Sequence, residues 1–219
     1  FSIAIHHIYD PIGRMLYLGN GSQRAAQNIR LVINTVAGGG TQNADGIPAT
    51  DAILETPLGV TAAPDGGFFI LDQFHGRIRR VNRQGIITTV AGGGNPADGL
   101  GDGGPATQAK FTRPLRMASG PDGSLYVWDS DLCRVPPLDC RIRRIDPSGI
   151  ITTFAGTGSI GSAKDGEGGP ATQANLSEIQ GMAVGLDGAL YFSTGRLNTI
   201  RRVGLDGVIT TIAGTGMQG

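Results

Sequence analysis

The sequence predicts an all-β fold, a β-propeller built from four four-stranded antiparallel blades. Three observations lead there. One phrase closes four successive units: NTVAGGG at 34–40, TTVAGGG at 88–94, TTFAGTG at 152–158 and TTIAGTG at 210–216. An Ile-Arg-bearing strand precedes each phrase, and an aromatic strand precedes that. Taking Tyr17, Phe69, Tyr126 and Tyr191 as equivalent, the units step by 52, 57 and 65 residues, a repeat of short strands and glycine turns that suits propeller blades. No stretch carries a helical period of useful length.

The elements follow in order. The first unit opens with FSIAI, then has MLYLGN at 15–20, NIRLV at 28–32 and the closing phrase. The second has strands at Leu58 to Ala63, Phe68 to Leu71, Arg77 to Val81 and Ile86 to Ala91. The third repeats the pattern with LYVWD at 125–129, RIRRI at 141–145 and GIITTFAG; the fourth does so with LYFST at 190–194, IRRV at 200–203 and VITTIAG. The turns carry Asp65-Gly66, Asp122-Gly123, Ser148-Gly149, Asp187-Gly188 and Asp206-Gly207, pairs that suit tight hairpins because glycine tolerates positive φ. Each blade should run from an inner first strand to an outer fourth. The expected blades span approximately 1–40, 54–94, 112–158 and 177–216 of a single array covering 1–219.

Bulk properties narrow the functions. The chain holds 37 glycines and 12 prolines, but they recur in register at turns, which argues against a flexible low-complexity chain. Charged residues are 16%, below the roughly 25% of ordinary soluble domains, as expected for blades packed on both faces. A formal net charge of zero argues against broad capture of nucleic acid or anionic membrane. No apolar run approaches the roughly 20 residues that span a bilayer. The start at Phe1, with no basic leader, reads as a processed product or an excised segment.

The arginines of the third strands look like chemistry, yet alternation and nearby aspartates give them a structural reading. Asp72 and Asp129 end the preceding strands at equal offsets, so ion pairs with Arg79, Arg80, Arg143 and Arg144 are expected. A nucleic-acid-binding row would want interleaved aromatics. The long connections repeat ADGIPAT at 44–50, GDGGPAT at 101–107 and GEGGPAT at 166–172. Asp45, Asp102 and Glu167 are equivalent there, with Asp98 and Asp165 close by. Two readings stay open: a loop cap in which the acid accepts backbone N–H groups, or calcium held at Asp98, Asp102, Asp165 and Glu167. Cys133 and Cys140 frame the insert RVPPLD, short enough for a disulfide, which would imply an oxidising compartment; free thiols are the alternative. No catalytic metal is expected, and no other cofactor.

Together the RIRRV and RIRRI strands, the GIITTVAGGG and GIITTFAGTG strands and the GDGGPATQAKFTRP connection resemble NHL repeats. The opening HHIYDPIGRMLYLGN, with His6, His7, Tyr9, Asp10 and Pro11, is similar to the first blade of teneurins and bacterial YD-repeat (Rhs-like) surface proteins. The resemblance covers essentially the whole chain. It implies a propeller within a large extracellular or cell-surface protein, used for contact.

Catalysis is poorly supported. Some related propellers are lyases or lactonases whose ligands converge on a metal from several blades. This chain offers only His6, His7 and His75, and the adjoining pair would point to opposite faces of a strand. There is no G-x-S-x-G or H-E-x-x-H, and the GGG runs lack the Lys-Ser/Thr ending of a phosphate loop. The leading expectation is a non-catalytic extracellular scaffold binding protein or glycan through propeller faces. The alternative is a structural subunit that joins further copies of itself through blade edges; a metal-dependent lyase or lactonase ranks third. Neither nucleic-acid partners nor membrane insertion is expected. Asn20-Gly21-Ser22 and Asn175-Leu176-Ser177 match the glycosylation acceptor pattern.

Overall fold

The computed structural model describes residues 8–9, 15–16, 33–130, 140–195 and 197–217. The chain divides into two compact units, Phe1–Asn34 and Thr35–Gly219. In the first, β1 (Ile8–Tyr9) pairs antiparallel with β2 (Met15–Leu16). Of the rest of the expected first blade, residues 33–40 are described and form no strand, so the closing phrase NTVAGGG does not make the fourth strand that the sequence predicts; the remainder, FSIAI included, falls outside the described residues.

The second unit is a series of propeller blades. After the short β3 (Ile47–Pro48), the second blade comprises β4 (Pro57–Ala62), β5 (Phe68–Asp72), β6 (Arg77–Val81) and β7 (Ile86–Gly92). The third comprises β8 (Pro114–Ser119), β9 (Leu125–Asp129), β10 (Arg141–Ile145) and β11 (Ile151–Ala155). The fourth comprises β12 (Ile179–Val184), β13 (Leu190–Thr194), β14 (Thr199–Val203) and β15 (Ile209–Ala213). Each is an antiparallel meander in chain order, and β3 adds a fifth strand outside β7. No α-helix occurs among the described residues, and none there is long and apolar enough to cross a membrane.

First strands lie innermost, as the sequence predicts. β4 and β12 both pack beside β8. The Thr61 and Ser119 hydroxyls meet at 2.8 Å, and Arg116 Nε donates to the Gln180 carbonyl at 2.9 Å. Between blades the core is apolar. Phe69, Leu71, Ile78 and Ala91 meet Leu125, Val127, Ile145 and Ile151; Tyr126, Trp128 and Ile142 meet Leu190, Phe192, Val203 and Ile209. Burial of this area is the main stabilising term.

Two local features recur in every described blade. The register shifts between Ile78 and Arg79, Ile142 and Arg143, and Ile200 and Arg201. Each shift inserts one residue into the fourth strand (Val90, Phe154 and Ile212), a β-bulge that re-aims side chains. The connections also staple neighbouring blades. Gly38 and Gly156 N–H donate to the carbonyls of Ala49 and Ala171, and Gly94 N–H to that of Ala109. Further along each connection, Gly46, Gly103 and Gly168 donate to Ile87, Ile151 and Ile209 of the next fourth strand, each at 2.8 Å. The PAT phrases form 3-10 turns at Ala49–Asp51, Ala106–Gln108 and Ala171–Gln173, where the sequence suggests only loop.

Candidate functional site

The repeated arginines are spent on holding the connections. Arg79 and Arg143 are fully buried and Arg201 nearly so, because β-sheet alternation turns them into the interface beneath the preceding connection. Arg79 Nη2 reaches Asp45 Oδ1 and the Ala44 carbonyl, each at 3.0 Å. Arg143 Nη2 reaches Asp102 Oδ1 at 2.6 Å and the Leu100 carbonyl at 3.2 Å. Arg201 Nη2 lies 3.5 Å from Glu167 Oε2 and donates to the Asp165 carbonyl at 2.9 Å. A fourth-strand threonine completes each site. Thr89 donates its N–H and hydroxyl to Asp45, Thr153 its hydroxyl to Asp102, and Thr211 both groups to Glu167. Burial lowers the pKa of Arg79 and Arg201 from its ordinary value. At Glu167 burial acts upward, but the Thr211 groups and Arg201 outweigh it and hold the carboxyl below its usual range.

The partners differ from those that strand spacing suggests. Asp72 and Asp129 bond to other groups. Asp72 is fully buried and accepts from Arg77 Nη2 at 2.9 Å and from the Glu55 N–H at 2.9 Å. His75 Nδ1 lies 2.9 Å from the same Oδ2 that Arg77 contacts and 3.1 Å from Oδ1, and Nε2 is 3.7 Å from Glu55. Asp129 accepts the backbone N–H groups of Thr112 and Arg113 at 3.0 and 2.7 Å. Arg80 pairs with Asp65, and Arg144 with Asp122 at 3.4 Å and the Ser124 hydroxyl at 2.8 Å. Acid, arginine and threonine each recur once per described blade, but the acid lies 34 residues before the arginine in one blade and 41 in the next, so their recurrence alone does not pair them.

The remaining carboxylates weighed for calcium are engaged by the protein. Asp98 accepts the N–H groups of Leu100 and Gly101 at 3.0 and 2.7 Å, bonds that hold its pKa down. Asp165 accepts the Asn175 N–H at 2.9 Å. Among the described residues, no three His, Cys, Asp or Glu side chains are grouped to hold a metal ion. Cys140 is buried beside Ser130; Cys133, His6, His7 and Asn20 lie outside the described residues.

A second feature went unnoticed in the sequence. Between the third and fourth blades, on the face carrying the first-to-second and third-to-fourth strand turns, lies a cleft of about 500 Å³. Pro121, Tyr126 and Phe154 line it from one blade and Leu186 and Leu205 from the next, with Asp122, Arg144 and Asp187 at its edge. The rings of Tyr126 and Phe154 meet edge-on at 4.8 Å, and the bulge is what places Phe154 there. Leu186 is 100% and Leu205 80% exposed.

No family model matches the chain. It is similar to Teneurin-m of Drosophila melanogaster, 30% identical over 228 residues, and to mouse Teneurin-1, 29% identical over 225 residues. These alignments cover 100% and 98% of this chain but 8% of each relative, so the chain spans a small part of their length. Among solved structures, an auxiliary nutrient binding protein of Bacteroides thetaiotaomicron aligns with a TM-score of 0.53 at 11% identity, over 83% of this chain and 38% of that one. A second protein of that organism, of unknown function, aligns at 0.50 and 19%, over 63% and 32%. At these identities the likeness shows the fold alone.

Proposed function

We propose that this propeller is a non-catalytic contact module of an extracellular or cell-surface protein. Similarity to teneurins along the whole chain is the observation that carries the reading. The described site geometry supports it: the repeated ionisable side chains bond to connections and turns, whereas exposed apolar side chains gather at a cleft on one blade face. A protein or glycan partner fits this reading. The test is saturable binding of the 219-residue chain, displayed multivalently on beads, to intact cells. Protease treatment of the cells should abolish binding if the partner is a protein, and glycosidase treatment if it is a glycan. Absence of saturable binding to every cell type tried, or turnover of lactone or cyclic ester substrates, would overturn it.

A second reading, self-association, is favoured by one specific observation. Val36, Leu58 and Val60 are 62%, 44% and 70% exposed around a groove on the second blade.

A further inference from the structure

We infer that His75 and Glu55 bind a divalent transition-metal ion of the zinc, nickel and copper type, with the buried carboxylate of Asp72 orienting both. The inference is independent of the contact reading above. The site lies on the second blade, where the connection that ends at Glu55 and Thr56 meets the turn from β5 to β6.

The tautomer of His75 follows from its neighbour. Asp72 is fully buried and paired with Arg77 Nη2 at 2.9 Å, and an ionised carboxylate only accepts. His75 Nδ1, 2.9 Å from Oδ2 and 3.1 Å from Oδ1, therefore carries the proton. The lone pair of the neutral ring is then on Nε2, and Nε2 lies 3.7 Å from Glu55 Oε2. Two acceptors face one another, too far apart for a hydrogen bond. A tetrahedral ion with bonds of about 2.1 Å would hold two such ligand atoms about 3.4 Å apart. A carboxylate on one ring nitrogen and a metal on the other is the usual arrangement of a ligating histidine.

The second ligand is held as firmly. Asp72 Oδ1 accepts the Glu55 N–H at 2.9 Å. The N–H groups of Phe74 and Gln73 donate to the carbonyls of Glu55 and Thr56 at 3.3 and 3.4 Å. Thr56 takes φ of 53°, a conformation that a β-branched residue keeps only where its surroundings impose it. Strain of this kind collects at ligand-binding positions, and here it adjoins one of the two ligands.

The blade itself calls for neither side chain. In the third blade Asp129 accepts the Thr112 N–H at 3.0 Å, the same bond that Asp72 makes with Glu55, so the frame recurs without the glutamate. No later blade has a histidine, since the others in the chain are His6 and His7. Histidine and glutamate are thus added together to one copy of a repeated frame.

Charge and access fit a cation. Arg77 is matched by Asp72 and also donates to Asn43 at 2.8 Å, which leaves the Glu55 carboxylate to offset the ion. The His75 and Glu55 side chains are 22% and 47% exposed, so an ion can enter and water can fill its remaining positions. Imidazole with carboxylate suits zinc, nickel or copper, whereas calcium and magnesium take oxygen ligands. No third ligand joins the two among the described residues, so binding is weaker than at zinc sites with three or four protein ligands.

The test is zinc chloride titrated into the ¹⁵N-labelled 219-residue chain at about pH 7.5, where free imidazole is neutral. Before zinc is added, the His75 ring should carry its proton on Nδ1. Zinc should shift His75 Nε2 and the amides of Glu55, Phe74 and Gly76 in one saturable transition, and calcium should not. His75→Gln should remove these shifts and leave any at His6 and His7 in place. Glu55→Gln should weaken zinc at least about tenfold, the lower end of the loss when even an outer partner of a metal site is removed. Both variants should match the parent chain in circular dichroism without zinc. A proton on Nε2, zinc shifts confined to other histidines, or undiminished zinc affinity in Glu55→Gln would overturn the inference.

Discussion

A guanidinium fully withdrawn from water is tolerated only where charge and hydrogen bonds meet it. Arg143 meets that condition through its Nη2 atom alone, since Nε and Nη1 find no acceptor among the described residues. Asp102 is then the partner on which the buried charge depends. Replacing it, Asp102→Ala, should cost about 2 kcal/mol, below the roughly 3–5 kcal/mol of a fully buried pair because its carboxylate is 33% exposed. Urea unfolding of the variant measures this. Adding Arg143→Met should recover part of the loss, since it removes the stranded charge; a double variant no better than the single one would show that the pair is not coupled. Acid should act in the same direction. Asp122, Asp146, Asp187 and Glu167 have pKa values lowered from 3.8, or from 4.5 for Glu167. A carboxyl depressed in the folded state contributes stability that is fully present above its unfolded pKa and is lost as pH falls through its folded value. Urea midpoints should therefore hold steady from about pH 7 to 5 and fall below about pH 4. A midpoint that rises on acidification would contradict these assignments.

At the scale of elements, the connections do as much as the strands. Each is bonded to the end of one fourth strand and along the length of the next, so it fixes the spacing of two blades. Close approach there explains particular glycines. A Cβ on Gly94 would lie 1.9 Å from the Gln108 carbonyl oxygen, so Gly94→Ala must push the connection away. We expect a loss of about 3 kcal/mol, in the range of severe backbone clashes, and first cleavage by protease within 95–110. Gly85→Ala is the control. It has φ of 75° with open space around it, and should cost about 1 kcal/mol, the local strain alone. Equal losses in the two variants would mean that the docked connection does not matter to stability. Much of this architecture was legible in the sequence, because turn glycines and strand periodicity are local signals repeated in register. The order of strands and their inner-to-outer arrangement follow from them. The arginine partners were not, since a residue 34 or 41 positions away is brought close only by the docking of the connection. The cleft was missed for a different reason. Leu186 and Leu205 fall at turn tips, where the search for shared residues passes over departures from the repeat.

For the whole molecule, the question is what meets the apolar side chains left in water. The inter-blade cores show what such faces accept: Leu125, Val127 and Ile151 of the third blade are covered by Phe69, Leu71 and Ile78 of the second. On the second blade, Ile70, Val81 and Ile87 are buried beneath Ala49 and Ala52 of the connection, yet Val36, Leu58 and Val60 border an open groove of about 390 Å³. At about 25 cal/mol per Å² of apolar surface removed from water, covering three such side chains favours association without guaranteeing it at low concentration. Sedimentation of the 219-residue chain should therefore show reversible self-association that grows with concentration. Val60→Asp should suppress it, because a carboxylate in the contact would be buried without a partner. High salt should leave association unchanged or strengthen it, as expected of an apolar contact. A chain that stays monomeric at every concentration would remove self-assembly as a function.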